Sequence, residues 1–376
     1  MATPRFVKRV IGELVNDVGE APMNTLCIPG DLNADGRPDV VVSGRNGTMA
    51  WLENPGNDGP WRRHTIAEVA HLECGGVVVD LTGSGYPDII NGGDYRSDEL
   101  CWWENPGPAG GPWTRRVIVK TGRTQFHDEL IADLTGEGRP SLLFGNQGAS
   151  ALYRVPLPAD PRVSPWPEIR CIADGCQEGG LPEEGLAVAD LDGDGRVEIV
   201  AGTRWYSRGV GERWEAHQFA RDYITTKVAV GDIDGDGQAE IVLAEGDACI
   251  YGKPQGGKLG YFKRGADMRA LWEEHRIDDG LLDPHTLHLA DLCGHGRLDV
   301  LIGEIGVAGG GPDRQPRILL YENAGSGRLT RYELDRGTGT HNAWLVDVRG
   351  RGVPDILGRP LHGEQKWQIH VFERQT

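Results

Sequence analysis

No stretch of the 376-residue sequence approaches the roughly 20 consecutive apolar residues that a membrane helix needs. The opening MATPRFVKRVIGELV also lacks the uninterrupted apolar core of a secretory signal. Basic excess is missing too. With 39 Lys and Arg against 56 Asp and Glu, the formal net charge is −17, which repels phosphate backbones and anionic membranes and excludes nucleic acid and membrane surfaces as partners. Cysteine is scarce and odd in number: the seven residues lie mostly in or beside apolar runs, a pattern of reduced core thiols rather than of a disulfide framework. Only Cys171 and Cys176 stand close enough in sequence for a local disulfide or metal clip. No shift in composition marks a linker, so residues 1–376 are expected to form one domain. The expected location is cytoplasmic, or extracellular if a signal has been removed.

Turn formers, by contrast, are abundant, with Gly 56 and Pro 23. They punctuate a repeat. Seven times an apolar run ends in Asp, crosses a Gly-containing loop and resumes, at Asp31, Asp80, Asp133, Asp190, Asp232, Asp291 and Asp347. The separations of 49, 53, 57, 42, 59 and 56 residues are too long for a hairpin and fit a four-stranded propeller blade. Each unit continues with a third strand such as WLENPG at Trp51 or LYENAG at Leu320, then a fourth such as WRRHTIAE at Trp61. The last unit stops at its third strand, QIHVFERQ, whereas RFVKRVIGE from Arg5 matches the fourth-strand pattern. The expected fold is therefore an all-β, seven-bladed β-propeller in which the N-terminal strand completes the last blade and removes two open edges.

The loops after the first strand carry the first chemistry. DLNADGRPD sets Asp31, Asn33, Asp35 and Asp39 at alternating positions around Gly36, the oxygen-rich spacing that wraps a hard cation such as Ca²⁺. Asp190, Asp192, Asp194 and Glu198 repeat it, as do Asp232, Asp234, Asp236 and Glu240. The loops at Asp80 and Asp133 are short of carboxylates. The loop at Asp291 carries Cys293 and His295, and that at Asp347 carries Arg349 and Arg351, so these two are expected to be metal-free. The Ca²⁺ loops are expected to serve structure.

A catalytic or binding surface is expected on the opposite face, where the first strands begin around the axis. Six residues before each leading Asp stand Thr25, Cys74, His127, Glu184, Thr226, His285 and His341, an unusual loading of imidazoles at equivalent positions. Segments after the second strand add Arg45, Asp94, Tyr95, Arg96, Gln147, Arg204 and His362. His64, His217 and His275 instead share a W-x-x-H pattern on the outermost strand, which marks packing. Two chemistries fit the mouth. Imidazoles with Glu184 could ligate a further divalent metal at the axis. Alternatively, His127, His285, His341 or Tyr95 could serve as acid and base toward a carbon acid whose carboxylate is held by Arg96 or Arg204.

The loops resemble the FG-GAP or VCBS repeats, calcium-loop propeller blades found in integrin α-subunit heads and many bacterial proteins. The segments HTLHLADLCGHGRLDVLIGE, PRILLYENAG and GTHNAWLVDVRGRGVPDILG further resemble a subgroup of VCBS propellers. That subgroup includes the propeller of fungal aldos-2-ulose dehydratase and the rhamnosyl-glucuronate lyases of gum arabic breakdown. The resemblance implies β-elimination on a pyranose, with roles for His285 and His341 and, by position, His127. It does not extend to the cupin-type second domain of the dehydratase, so isomerase activity is not implied. A small saccharide or glycoside is the expected substrate. The competing readings are a Ca²⁺-stabilised binding propeller that presents Trp102, Trp103, Trp205 and Tyr206 to a glycan or protein, and a hydrolase built on Glu183 and Glu184 with Asp128 or Glu129.

Overall fold

The computed structural model of the chain describes residues 4–178, 181–182, 184–209, 213–307 and 311–375. Within them, seven four-stranded antiparallel sheets follow one another, six of them running in chain order from an innermost to an outermost strand. Blades 1 to 6 begin with the inner strands Asn24–Gly30, Val77–Val79, Phe126–Ala132, Leu186–Ala189, Thr226–Gly231 and Pro284–Ala290. Blade 7 comprises Asn342–Val346, Asp355–Arg359 and Gln368–Arg374, and its outer strand is Phe6–Glu13. That strand pairs with Gln368–Arg374 from Phe6 opposite Arg374 to Glu13 opposite Gln368, as the sequence pattern predicts. Inner strands of neighbouring blades touch all the way round, so the sheets close into a seven-bladed β-propeller.

The loop repeat has a backbone explanation. In all seven loops the leading carboxylate accepts the amide of the glycine five residues on, Gly36, Gly85, Gly138, Gly195, Gly237, Gly296 and Gly352. Gly195 shows why glycine stands there, since its φ of +85° would strain any residue with a Cβ. The acid eight residues after the leading Asp reaches back in turn, as Asp39 does to the amide of Leu32 and Glu198 to that of Leu191.

The third-strand motif joins blades together. Asn54, Asn105 and Asn323 each donate to a carbonyl of the preceding blade: to Val348 at 2.9 Å, Leu32 at 3.0 Å and Ile233 at 2.7 Å. The W-x-x-H histidines pack as expected, His64 stacking on Trp51 with centroids 4.2 Å apart, His217 against Trp205 and His275 on Tyr261. All seven cysteines are free, and Cys171 and Cys176 form no bridge. Trp102, Trp103, Trp205 and Tyr206 are buried between blades, which removes them from any recognition surface. Both faces of a blade's sheet are covered by its neighbours, so an aromatic on either face of a strand is core.

Candidate active site at the propeller mouth

Three inner strands enter the mouth with an irregular register. Between Phe126, opposite Asn146, and Glu129, opposite Phe144, blade 3 carries one residue more than its partner strand, and His127 and Asp128 fall in that bulge. Blade 6 shifts between Pro284 and Thr286, at His285, and blade 1 between Asn24 and Cys27. A bulge lifts residues out of the hydrogen-bond ladder and re-aims their side chains. At the mouth, in blades 3 and 6, the residues so displaced are His127, Asp128 and His285.

Four of the seven site candidates meet there. His127 Nδ1 lies 3.1 Å from Asp128 Oδ2, and its Nε2 lies 3.6 Å from Glu184 Oε2. Glu184 also accepts from Lys227 Nζ at 2.8 Å and from Gln147 Nε2 at 2.9 Å. His285 Nε2 faces Asp247 Oδ1 at 3.2 Å and stands with its ring centroid 5.4 Å from that of His341. His341 Nδ1 lies 3.1 Å from the Asn24 carbonyl, which fixes Nδ1 as the protonated nitrogen and leaves the Nε2 lone pair facing the Cys74 thiol at 3.4 Å. The main chain approaches closely enough here that only glycine fits at Gly75, where a Cβ would stand 2.3 Å from the His127 carbonyl.

Electrostatics divide the two imidazoles. Burial opposes charge on His127, but Glu184 and then Asp128 outweigh it and hold the ring protonated up to about 10. Burial likewise opposes charge on Glu184, yet His127 and Lys227 keep its carboxyl well below the usual carboxylate range. Lys227 is raised above its ordinary value, Glu184 and Asp128 overcoming the cost of burial. At His341 burial acts first, His285 and Lys227 add positive charge, and the ring is held neutral. Glu73 and Glu129 are pushed up mainly by burial.

The remaining candidates lie elsewhere. Tyr95 is 42 % exposed and sits against the Arg45 and Arg96 guanidinium groups on the rim. Arg96 pairs with Glu20. Arg204 opens the third strand of blade 4, opposite Ala201 and Gln218. Glu183 lies outside the described residues. Reading equivalent positions missed Lys227 and Glu73, which stand one residue to either side of the expected place, and Asp247. Beside the mouth a cleft of about 470 Å³ is lined by Met23, Arg45, Arg314, His362 and Lys366, and His285 is near enough to act electrically on His362.

At the axis Glu73, Cys74 and His127 place ligand atoms within 4.8 Å of one another, a grouping able to hold a metal ion, while the ring nitrogens of His127 also face Asp128 and Glu184 and Lys227 puts an ammonium on Glu184. The loops that follow the first strands also gather ligand atoms. Asp190, Asp192 and Asp194 gather carboxylate oxygens, as do Asp232, Asp234 and Glu240. Burial foremost, with the neighbouring acids, pushes Asp39, Glu198 and Glu240 up to about 7, a repulsion that a cation would relieve. In blade 5 the Lys263 ammonium contacts Asp234 and lies 2.8 Å from Asp236, while in blade 1 Arg37 pairs with Asp35 at 2.5 Å.

No family model matches the chain, and no curated protein does. Solved structures do. The rhamnogalacturonan lyase YesW superposes with a TM-score of 0.51 at 15% identity, over 98% of this chain and 75% of that one. The Bacillus licheniformis rhamnogalacturonan lyase PL11 gives 0.51 and 15%, over 99% and 75%. BBS1N, solved in complex with ARL6DN, gives 0.52 and 10%, over 93% and 92%. These likenesses establish the fold. Lyases and a protein held in a complex share it, so function has to be argued from the site.

Proposed function

We propose that the chain is a carbohydrate lyase or dehydratase that performs β-elimination on a pyranose, a uronic-acid or keto-sugar glycoside, at the mouth of the propeller. One arrangement carries this reading: in the same mouth His127 lies between Asp128 and Glu184, which favour its charged form, while His341 donates Nδ1–H to the Asn24 carbonyl with His285 beside it, which favours its neutral form. Elimination needs that division. A base takes the proton from the carbon beside a carboxylate or ketone, the C–O bond breaks with its electron pair on oxygen, and an acid protonates that oxygen. His341 Nε2 is the base, and the His127 imidazolium is the acid. Lys227 and His127 together neutralise the developing enolate. Arg45 and Lys366 in the adjoining cleft suit the carboxylate of an acidic sugar. The lyase neighbours support a carbohydrate substrate.

Ca²⁺ is proposed for the three oxygen-rich loops: Asp31, Asn33, Asp35 and Asp39 in blade 1, Asp190, Asp192, Asp194 and Glu198 in blade 4, and Asp232, Asp234, Asp236 and Glu240 in blade 5. Its contribution is charge neutralisation within the loops, on the face away from the chemistry.

The test is direct incubation with uronate-containing and 3-keto glycosides. An unsaturated product absorbing in the near ultraviolet is expected, and His127→Ala or His341→Ala should lower kcat by about 10² or more, the scale of a general acid or base. Release of saturated sugars carrying solvent oxygen would replace elimination with hydrolysis. Absence of turnover across a glycoside panel, with glycan binding kept in both variants, would leave a binding propeller.

A further inference from the structure

The loop of blade 6 departs from the other six in the kind of atom it gathers. Its frame is the common one, Asp291 accepting the amides of Gly294, His295 and Gly296. At the third, fifth and ninth positions, where blade 4 has Asp192, Asp194 and Glu198, stand Cys293, His295 and Asp299. Their ligand atoms lie within 4.8 Å of one another, with His295 Nε2 3.3 Å from Asp299 Oδ1. Cys293 is 5% exposed and Asp299 fully buried. Both ring nitrogens of His295 are shielded from solvent and make no hydrogen bond. Nδ1 instead looks toward Asp291 Oδ1 at 3.6 Å, placed as the carboxylates that orient ligating imidazoles in metal sites are.

We propose that this loop binds a borderline-soft divalent transition ion of the Zn²⁺ class through Cys293 Sγ, His295 Nε2 and the Asp299 carboxylate, with the fourth position open to solvent. The donor set decides the class. Ca²⁺ takes six to eight oxygens, whereas sulfur, nitrogen and one carboxylate around a tetrahedron suit Zn²⁺, at bond lengths of about 2.0–2.3 Å. A frame that draws three side chains to one point for a hard cation here draws a thiol and an imidazole to the same point. The expectation of a metal-free loop, based on missing carboxylates, overlooked that cysteine and histidine at ligand positions change the metal rather than abolish the site.

The experiment uses the full chain, stripped with EDTA, supplied with excess Ca²⁺ to fill the oxygen-rich loops, and titrated with Zn²⁺ against a chromophoric chelator and separately with Co²⁺. One equivalent should bind, with thiolate-to-cobalt absorption in the near ultraviolet and the intense visible bands of tetrahedral Co²⁺. Cys293→Ser and His295→Gln should weaken Zn²⁺ by at least ~100-fold, the upper end of what even an outer-shell change costs, and Cys74→Ser should not. Should Cys293→Ser fail to fold, X-ray absorption of the Zn²⁺-loaded wild type decides instead, by the presence of one sulfur ligand. Wild type without a sulfur–metal signal overturns the proposal and leaves His295 as a ring packed between Asp291 and Asp299. A signal lost in Cys74→Ser and kept in Cys293→Ser also overturns it, by moving the ion to the mouth.

Discussion

Replacing Glu184 by Gln tests the charge division at the mouth. The substitution keeps the side-chain volume and an oxygen for Gln147, but removes the anion that sits 2.8 Å from Lys227 and 3.6 Å from His127. His127 then loses the larger of its two carboxylates while burial and Lys227 continue to oppose its charge. Its pKa should fall from about 10 to the ordinary 6.5 or below. A fall of about 3.5 pH units, at 1.36 kcal/mol each, is on the order of 5 kcal/mol of lost preference for the imidazolium. The ring can shed its proton, so the change should appear in titration more than in unfolding. Histidine Cε1–H resonances followed by NMR should show one wild-type ring protonated to about pH 10 and the same ring in the variant neutral at pH 7.5. Linkage gives a second reading. A histidine raised in the fold contributes stability that is complete below its unfolded value near 6.5 and lost as pH climbs through about 10. The wild type should therefore lose stability over that window, and Glu184→Gln should lose less. A wild-type His127 that titrates near 6.5, or a variant ring that still holds its proton at pH 9, refutes the reasoning.

Two further outcomes follow from the loops and the ring closure. Because Asp39, Glu198 and Glu240 titrate near 7 without a cation, Ca²⁺ should raise Tm more at pH 8 than at pH 5; equal shifts at both pH values, or none on EGTA addition, would remove the calcium assignment. Deleting residues 1–12 takes away most of the strand paired with Gln368–Arg374 and should yield aggregates in light scattering rather than a soluble shortened monomer.

The architecture was legible because its signals are local. Each leading Asp makes its turn with amides a few residues ahead, so all seven loops carry it whether or not their other residues suit a cation. The convergence of His127, Glu184, His285 and His341 was readable for a related reason: equivalent positions in a closed ring face one another. Lys227 was hidden because it sits in the strand TKVAVG, where a lone lysine reads as an edge residue, and only the neighbouring blade's Glu184 gives it meaning. Tyr95 and Arg96 stand at the rim, a placement that position along a loop does not reveal; Asp94, two residues or fewer before them, pairs with Arg45 at 3.2 Å. The buried tryptophans failed for want of the neighbouring blades, whose packing on both faces no single strand announces.

The closing strand has a consequence for biosynthesis. Phe6–Glu13 emerges first and its partner Gln368–Arg374 some 350 residues later, a wait of about 20 to 70 s at 5–20 residues per second. Throughout that interval the nascent chain carries an orphan β-segment that every sibling polysome could capture. Lys8, Arg9 and Glu13 place charge along it, and Val7 and Val10 are the only aliphatic side chains it leaves largely exposed even in the finished ring. The first eight-residue strand is thus a tether that must stay unclaimed during translation, and its charges guard its solubility before they ever meet blade 7.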